Sequence, residues 1–151
     1  MDDGPTANFV AGQLVACYED SCERYNDDDN SWTKIADTRS RRYSHSSAQH
    51  EDRILLIGGE DSRSTEWIST NGGESQAGPW LVRHGWDHCT IQVSSDLIVV
   101  TGGWKTLDYV TEYQLTGDAT ETVMTSLING RRYHACGGYR ETGGQQVKIS
   151  W

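Results

Sequence analysis

The chain has 151 residues, 22 of them Asp or Glu and 13 Lys or Arg, for a formal net charge of −9 at neutral pH. That length holds one domain or part of one, and the acidity, unrelieved by any long basic run, argues against a nucleic-acid backbone or an anionic membrane surface as partner. Only 35% of residues are hydrophobic, yet 16 glycines, 7 tyrosines and 6 tryptophans accompany 2 prolines, which points away from helix bundles and disorder toward turn-rich β-structure. No stretch approaches the roughly 18 apolar residues of a membrane-spanning helix, so no membrane insertion is expected. The first residues lack the basic and apolar regions of a secretory signal, and 1–9 read as a disordered N-terminus, leaving cytoplasmic and extracellular locations both open.

After that tail, Leu14-Val15-Ala16-Cys17 opens a worn repeat that runs through Cys22-Glu23-Arg24-Tyr25 to Trp32. Cys17 and Cys22 flank four residues at a hairpin turn, a spacing that allows a cross-strand disulfide without requiring one. Asp27, Asp29 and Ser31 alternate like the start of a calcium loop. Trp32 then stands where the loop's glycine belongs and Thr38 where its glutamate belongs, so the segment reads as a solvated turn. The second copy is clearer: His45, then Ile54-Leu55-Leu56-Ile57-Gly58-Gly59, then Thr65-Glu66-Trp67, with strands predicted at about 43–49, 53–58, 65–70 and 79–83. The third has His88, Ile98-Val99-Val100-Thr101-Gly102-Gly103 and Thr111-Glu112-Tyr113, with strands predicted at about 87–94, 97–102, 110–115 and 121–125. A truncated last copy begins at Arg131-Arg132-Tyr133-His134 and stops at Trp151. The markers share a period in the mid-forties, and no segment carries helical spacing of apolar residues.

Each recurring residue has a structural reading. The unbroken apolar runs predict strands buried on both faces. Gly58, Gly59, Gly102 and Gly103 supply positive φ and room for close backbone approach, and no helix follows them as a phosphate-binding loop requires. His45, His88 and His134 recur once per copy, so they are distributed around an axis and read as pins for local strands, not as a convergent metal or catalytic set. His84 and His88 have HxxxH spacing, but on a strand that places them roughly 13 Å apart. Trp32, Trp67, Trp80, Tyr25 and Tyr113 read as packing between sheets, and Cys89 and Cys136 as buried thiols. Trp86, Trp104 and Tyr109 depart from the repeat and are candidates for a contact surface.

An apolar run, a double glycine, an aromatic after a short loop and a tryptophan seven residues later, as from Tyr25 to Trp32, resemble the kelch repeat family. Arg42-Tyr43-Ser44-His45 and Arg131-Arg132-Tyr133-His134 resemble its lead into the next repeat. The likeness extends over about 10–140, with departures: Ala16-Cys17 stand at the glycine positions of the first copy, Trp80 lies too far from Trp67, no tryptophan follows Tyr113, and the last copy has no glycine pair near its end. The resemblance implies an all-β fold of kelch-type β-propeller blades, each of four antiparallel strands. Here it gives an incomplete arc of about three blades over 10–151: a partial blade at 10–35, blades at 43–83 and 87–125, and a partial blade at 131–151. Kelch rings close with about six or seven blades, so the chain is expected to be a fragment of a larger propeller or to complete its ring with another chain, associating through exposed blade edges.

Strand parity in such a blade places the loops after the second and fourth strands on one end. Arg63, Trp104, Lys105, Asp108, Tyr109 and Arg131 fall in those loops and are the expected protein-binding residues, with arginine and tryptophan as anchors. The function expected from this reading is a non-catalytic protein–protein interaction scaffold with no catalytic residue, cofactor or metal. No residue names the partner. Two alternatives stand beside it: a secreted adhesive or matrix-type module stapled by Cys17–Cys22, and a remnant of a copper-oxidase-like propeller enzyme.

Overall fold

The computed structural model describes residues 5–59, 62–80, 86–116, 121–132, 137–140 and 147–150. They form three four-stranded antiparallel sheets and a two-stranded one, each a meander in chain order. The first sheet contains β1 (Thr6–Val10), β2 (Gln13–Cys17), β3 (Ser21–Asn26) and β4 (Ser31–Asp37). The second contains β5 (Ser46–His50), β6 (Arg53–Ile57), β7 (Thr65–Ser69) and β8 (Gln76–Ala77). The third contains β9 (Cys89–Gln92), β10 (Leu97–Thr101), β11 (Val110–Gln114) and β12 (Glu121–Val123), and the last β13 (Gly137–Arg140) and β14 (Val147–Ser150). No described residue is helical. The opening strand of each sheet packs against that of the next, β1 on β5, β5 on β9 and β9 on β13, so the sheets follow one another as in a β-propeller.

Two differences from the sequence expectations concern the first sheet. Residues 6–9 belong to β1 and are not a disordered tail, so this sheet is a complete four-stranded unit and not a partial blade. Of the five residues of β1 only Val10 is buried, and the strand closes on β2 through an Ala11-Gly12 turn with φ of 49° and 78°, a two-residue hairpin that needs no longer loop. The outer strand expected at 79–83 is instead Gln76–Ala77. Pro79 cannot donate to a ladder and lies beyond the strand end; residues 81–83 lie outside the described residues, as do His84, His134 and Cys136.

The β6 run explains why the sheets stack. Ile54 and Leu56 enter a core with Val10, Val15, Cys17, Cys22 and Ala36 of the first sheet. Leu55 and Ile57 turn the other way into a core with Ile98, Val100 and Tyr113 of the third. All four are 0–2% exposed, each contributing roughly 1.5–3 kcal/mol of transfer free energy. Buried Trp32 and Trp80 were also expected, but they are 46% and 72% exposed. Trp32 lies on the outermost strand, where its ring sits beside that of Tyr25 across the β3–β4 pair, 5.3 Å between centroids. Trp80 lies three residues past the end of β8, the outermost strand of its sheet.

The ladders also re-register the repeat. Thr65 opposes Ile57 and Val110 opposes Thr101, so Thr65 corresponds to Val110, and the two Thr-Glu-aromatic triplets are one residue out of step. The β10–β11 loop is one residue longer than the β6–β7 loop, and on a strand a slip of one exchanges the faces. Glu66 is therefore fully buried toward the first sheet while Glu112 is half-exposed on the opposite face; Tyr113 is buried while Trp67 is half-buried. In the first sheet Cys17 pairs with Cys22 as Ile57 pairs with Thr65, which places Tyr18 and Glu19, not Ala16 and Cys17, opposite the double glycines.

Gly59 and Gly103 have φ of 113° and 105°, a region closed to other residues. A Cβ on Gly59 would lie 3.2 Å from the Cα of Arg42, and one on Gly103 2.8 Å from the carbonyl oxygen of Trp86. Gly103→Ala is expected to cost at least about 1–3 kcal/mol of unfolding free energy by urea titration, whereas Ile128→Ala, at a fully exposed side chain, should stay within about 0.5 kcal/mol of the parent.

Candidate functional site

The loops after the second and fourth strands meet at one end, as parity requires. The Arg42 amide donates to Glu19 O, and the Arg42 guanidinium to Gly58 O at 2.7 Å and Ser64 O at 3.0 Å. One sheet further on, Gly103 N donates to Arg131 O, Trp104 N to Trp86 O, Leu127 N to Asp108 O and Arg131 N to Leu107 O. These main-chain bonds fix the residues expected to bind. Trp104, Lys105 and Asp108 are exposed on the β10–β11 loop, Tyr109 is half-buried at its end, and Arg63 is exposed on the β6–β7 loop. Arg131 anchors its loop through its backbone and leaves its side chain exposed.

The geometry gathers part of this set with Trp86, the other contact-surface candidate, and adds Arg132. The Trp86 and Trp104 rings stack, with centroids 6.1 Å apart and 23° between planes. The Arg132 guanidinium sits 4.1 Å over the Trp104 ring, and the Lys105 ammonium 5.9 Å over that of Trp86. Cation–π contacts of this kind contribute about 0.5–1 kcal/mol each at exposed sites. At the same end a groove is lined by Ser126, Leu127, Ile128, Asn129 and Arg131, with Leu107 also exposed. Arg132 escaped the sequence reading because it directly follows Arg131, the better match to the repeat; its signal was the Arg-Arg pair itself. Arg63 projects from the same end of the neighbouring sheet and is not part of the stack.

The histidines lie elsewhere. His45 Nε2 is 3.0 Å from the Thr6 hydroxyl and Nδ1 3.1 Å from Arg42 O; His88 Nε2 is 2.7 Å from the Ser46 hydroxyl. Thr6 and Ser46 are the first residues of β1 and β5, so each imidazole ties its own sheet to the strand that opens the preceding one. Ser44 and Asp87, just before them, share a left-handed φ of 50° and 56°. Among the described residues no three His, Cys, Asp or Glu side chains form a group able to hold a metal. The Asp27–Asn30 turn is exposed and bonded to itself, Ser31 Oγ donating to Asp29 and Tyr25 OH to Asn30. Cys17 and Cys22 are joined as a disulfide, both fully buried. Cys89, expected as a buried thiol, is half-buried and disulfide-bonded, its partner outside the described residues; a thiol reading rested on burial, and β9 leaves this position open enough to pair.

No protein-family model matches the chain, and no curated protein matches it. Among solved structures it is similar to that of YjhT, with a TM-score of 0.78 and 13% sequence identity over 90% of this chain and 56% of that one. At that identity the likeness is one of fold, a propeller-like succession of antiparallel sheets. The chain spans little more than half of YjhT's length.

The Arg42 carbonyl can only accept, so His45 Nδ1 carries the proton and Nε2 accepts from Thr6. Burial first, and then the adjacent Arg42 charge, depress the His45 pKa, against the opposing pull of the Arg42 carbonyl and Glu66. With the folded value below the unfolded value of about 6.5, the unfolded chain takes up the extra proton as pH falls through that range. Stability should therefore decline on acidification below about pH 6.5 and level off beneath the folded pKa. Thermal melts across this window should show a shallower decline for His45→Gln.

Proposed function

We propose that the chain is a kelch-type propeller segment whose loop end binds another protein without catalysing a reaction. The observation that carries this reading is the Trp86–Trp104 stack with Arg132 and Lys105 on its rings, beside the exposed Leu107, Ile128 and Arg131. Tryptophan and arginine dominate interface energetics, and stacking fixes the rings before a partner arrives, reducing the ordering cost of binding. Four basic side chains, Arg63, Lys105, Arg131 and Arg132, project from one end of a chain that is acidic overall, which suits a partner surface presenting carboxylates. In quantitative pull-downs from the source cells, Trp104→Ala and Arg132→Ala should each lower partner recovery about tenfold or more, with Arg63→Ala and Arg131→Ala adding smaller losses. Unchanged recovery in all four variants dismisses the surface.

A second reading, a secreted adhesive module, is favoured by the cysteines: Cys17–Cys22 is bonded, and no described cysteine is a free thiol. Disulfides persist in oxidising compartments. If they form in the native protein, alkylation under denaturing conditions should label no cysteine until a reductant is added, with the mass increase appearing only afterward. Full labelling before reduction removes this reading.

A further inference from the structure

Two asparagines in the chain precede a glycine, Asn71 before Gly72 and Asn129 before Gly130. A glycine amide has no side chain beside it, so its nitrogen can approach the side-chain carbonyl carbon of the asparagine before it, a reaction that bulk at the following residue slows. Both asparagines are exposed. The fold treats them differently.

At Asn71 the reacting groups are occupied. The Gly72 amide donates to Ser69 O at 3.1 Å, the Asn71 amide to the Ser69 hydroxyl at 3.2 Å, and Asn71 Nδ2 to Asp52 Oδ2 at 3.1 Å. An amide that donates to an acceptor holds its proton more firmly, and the Asp52 carboxylate opposes the negative charge that the attacking nitrogen must carry. At Asn129 only the flanks are held, Leu127 N donating to Asp108 O and Arg131 N to Leu107 O. Among the described residues neither the Gly130 amide nor the Asn129 side chain has a hydrogen-bond partner. Asn129 shares its groove with Arg131, whose charge favours an anionic nitrogen nearby. Packing keeps the glycine in place, since a Cβ at position 130 would lie 2.6 Å from the Cβ of Leu107.

We propose that Asn129 is a site of spontaneous covalent modification, converted in the folded chain to aspartate and isoaspartate. The deprotonated Gly130 nitrogen bonds to Asn129 Cγ, the Cγ–Nδ2 bond breaks, and ammonia leaves carrying the proton, closing a succinimide ring. Water then adds to one of the two ring carbonyls. Cleavage of the bond from nitrogen to Cγ gives aspartate, and cleavage of the bond from nitrogen to the main-chain carbonyl carbon gives isoaspartate. One water enters and one ammonia leaves, with no oxidant or reductant. Either product adds a carboxylate to the groove that Arg131 lines, in a chain whose net charge is already −9, and isoaspartate also lengthens the main chain between the two pinned residues Leu127 and Arg131. A partner presenting carboxylates would then be held less well. That consequence rests on the loop-end reading; the conversion does not, and is measured without any partner.

The purified full chain, aged at mildly alkaline pH in heavy-oxygen water, can be digested and mapped by mass spectrometry. Asn129 should exchange its amide for a carboxyl carrying one heavy oxygen, as aspartate and isoaspartate together, at least about tenfold faster than Asn71. Ion exchange should resolve a more acidic species that accumulates with time and is lost in Asn129→Gln. In guanidinium chloride the gap between the two sites should narrow, because Gly72 loses its acceptor and Asn71 its carboxylate neighbour. An Asn129 that keeps its amide, an Asn71 that converts as fast in the folded chain, or a gap unchanged on unfolding overturns the proposal.

Discussion

The buried guanidinium of Arg42 sets how the first two sheets meet. Its Nε donates to Glu66 at 3.1 Å and its terminal nitrogens to Gly58 O, Ser64 O and the Ser64 hydroxyl, while the other Glu66 oxygen accepts the Arg39 amide. Arg42 and Glu66 are 2% and 0% exposed, and burying such ions is tolerable only when nearly every polar atom is matched. The matching atoms come from the loop leaving one sheet and the double-glycine turn of the next, so neither can shift alone. Gly59 lets this turn close onto the Arg42 backbone. In the third sheet Thr111 takes the place of Glu66. Without a buried carboxylate there, no arginine is called for.

Much of the fold was legible because two signals are unambiguous. Ile54–Ile57 and Ile98–Val100 offer no polar face, which fits only a strand enclosed by neighbours, and the double glycines mark where backbones converge. The outer strands were harder to read. β8 has two residues, both exposed, so neither hydrophobicity nor length announces it. β1 is held in part by the polar contacts of Thr6 with His45 and Asn8 with Ser47, which hydropathy does not register. The triplet register failed for a different reason: Thr-Glu-Trp and Thr-Glu-Tyr look alike as strings, and only the ladder reveals the additional loop residue that reverses their faces.

The loop end was legible in part. Trp86, Trp104 and Tyr109 stood out because they break the repeat, and departures from a repeat are free to serve contact rather than stacking. The stacking of Trp86 on Trp104 and the place of Arg132 over it were not readable, since these residues come from three separate loops. Gly103 N to Arg131 O and Trp104 N to Trp86 O bring the loops together, and both bonds depend on a backbone conformation reserved for glycine.

The Cys17–Cys22 bridge lies inside the apolar layer between the first two sheets, alongside Ile54, Leu56 and Ile68. A reductant in solution has no path to its sulfurs while those sheets stay together. The bridge therefore acts as a clock for their separation: the speed at which it is cleaved under native conditions reports how often the layer opens, independently of whether the rest of the molecule unfolds.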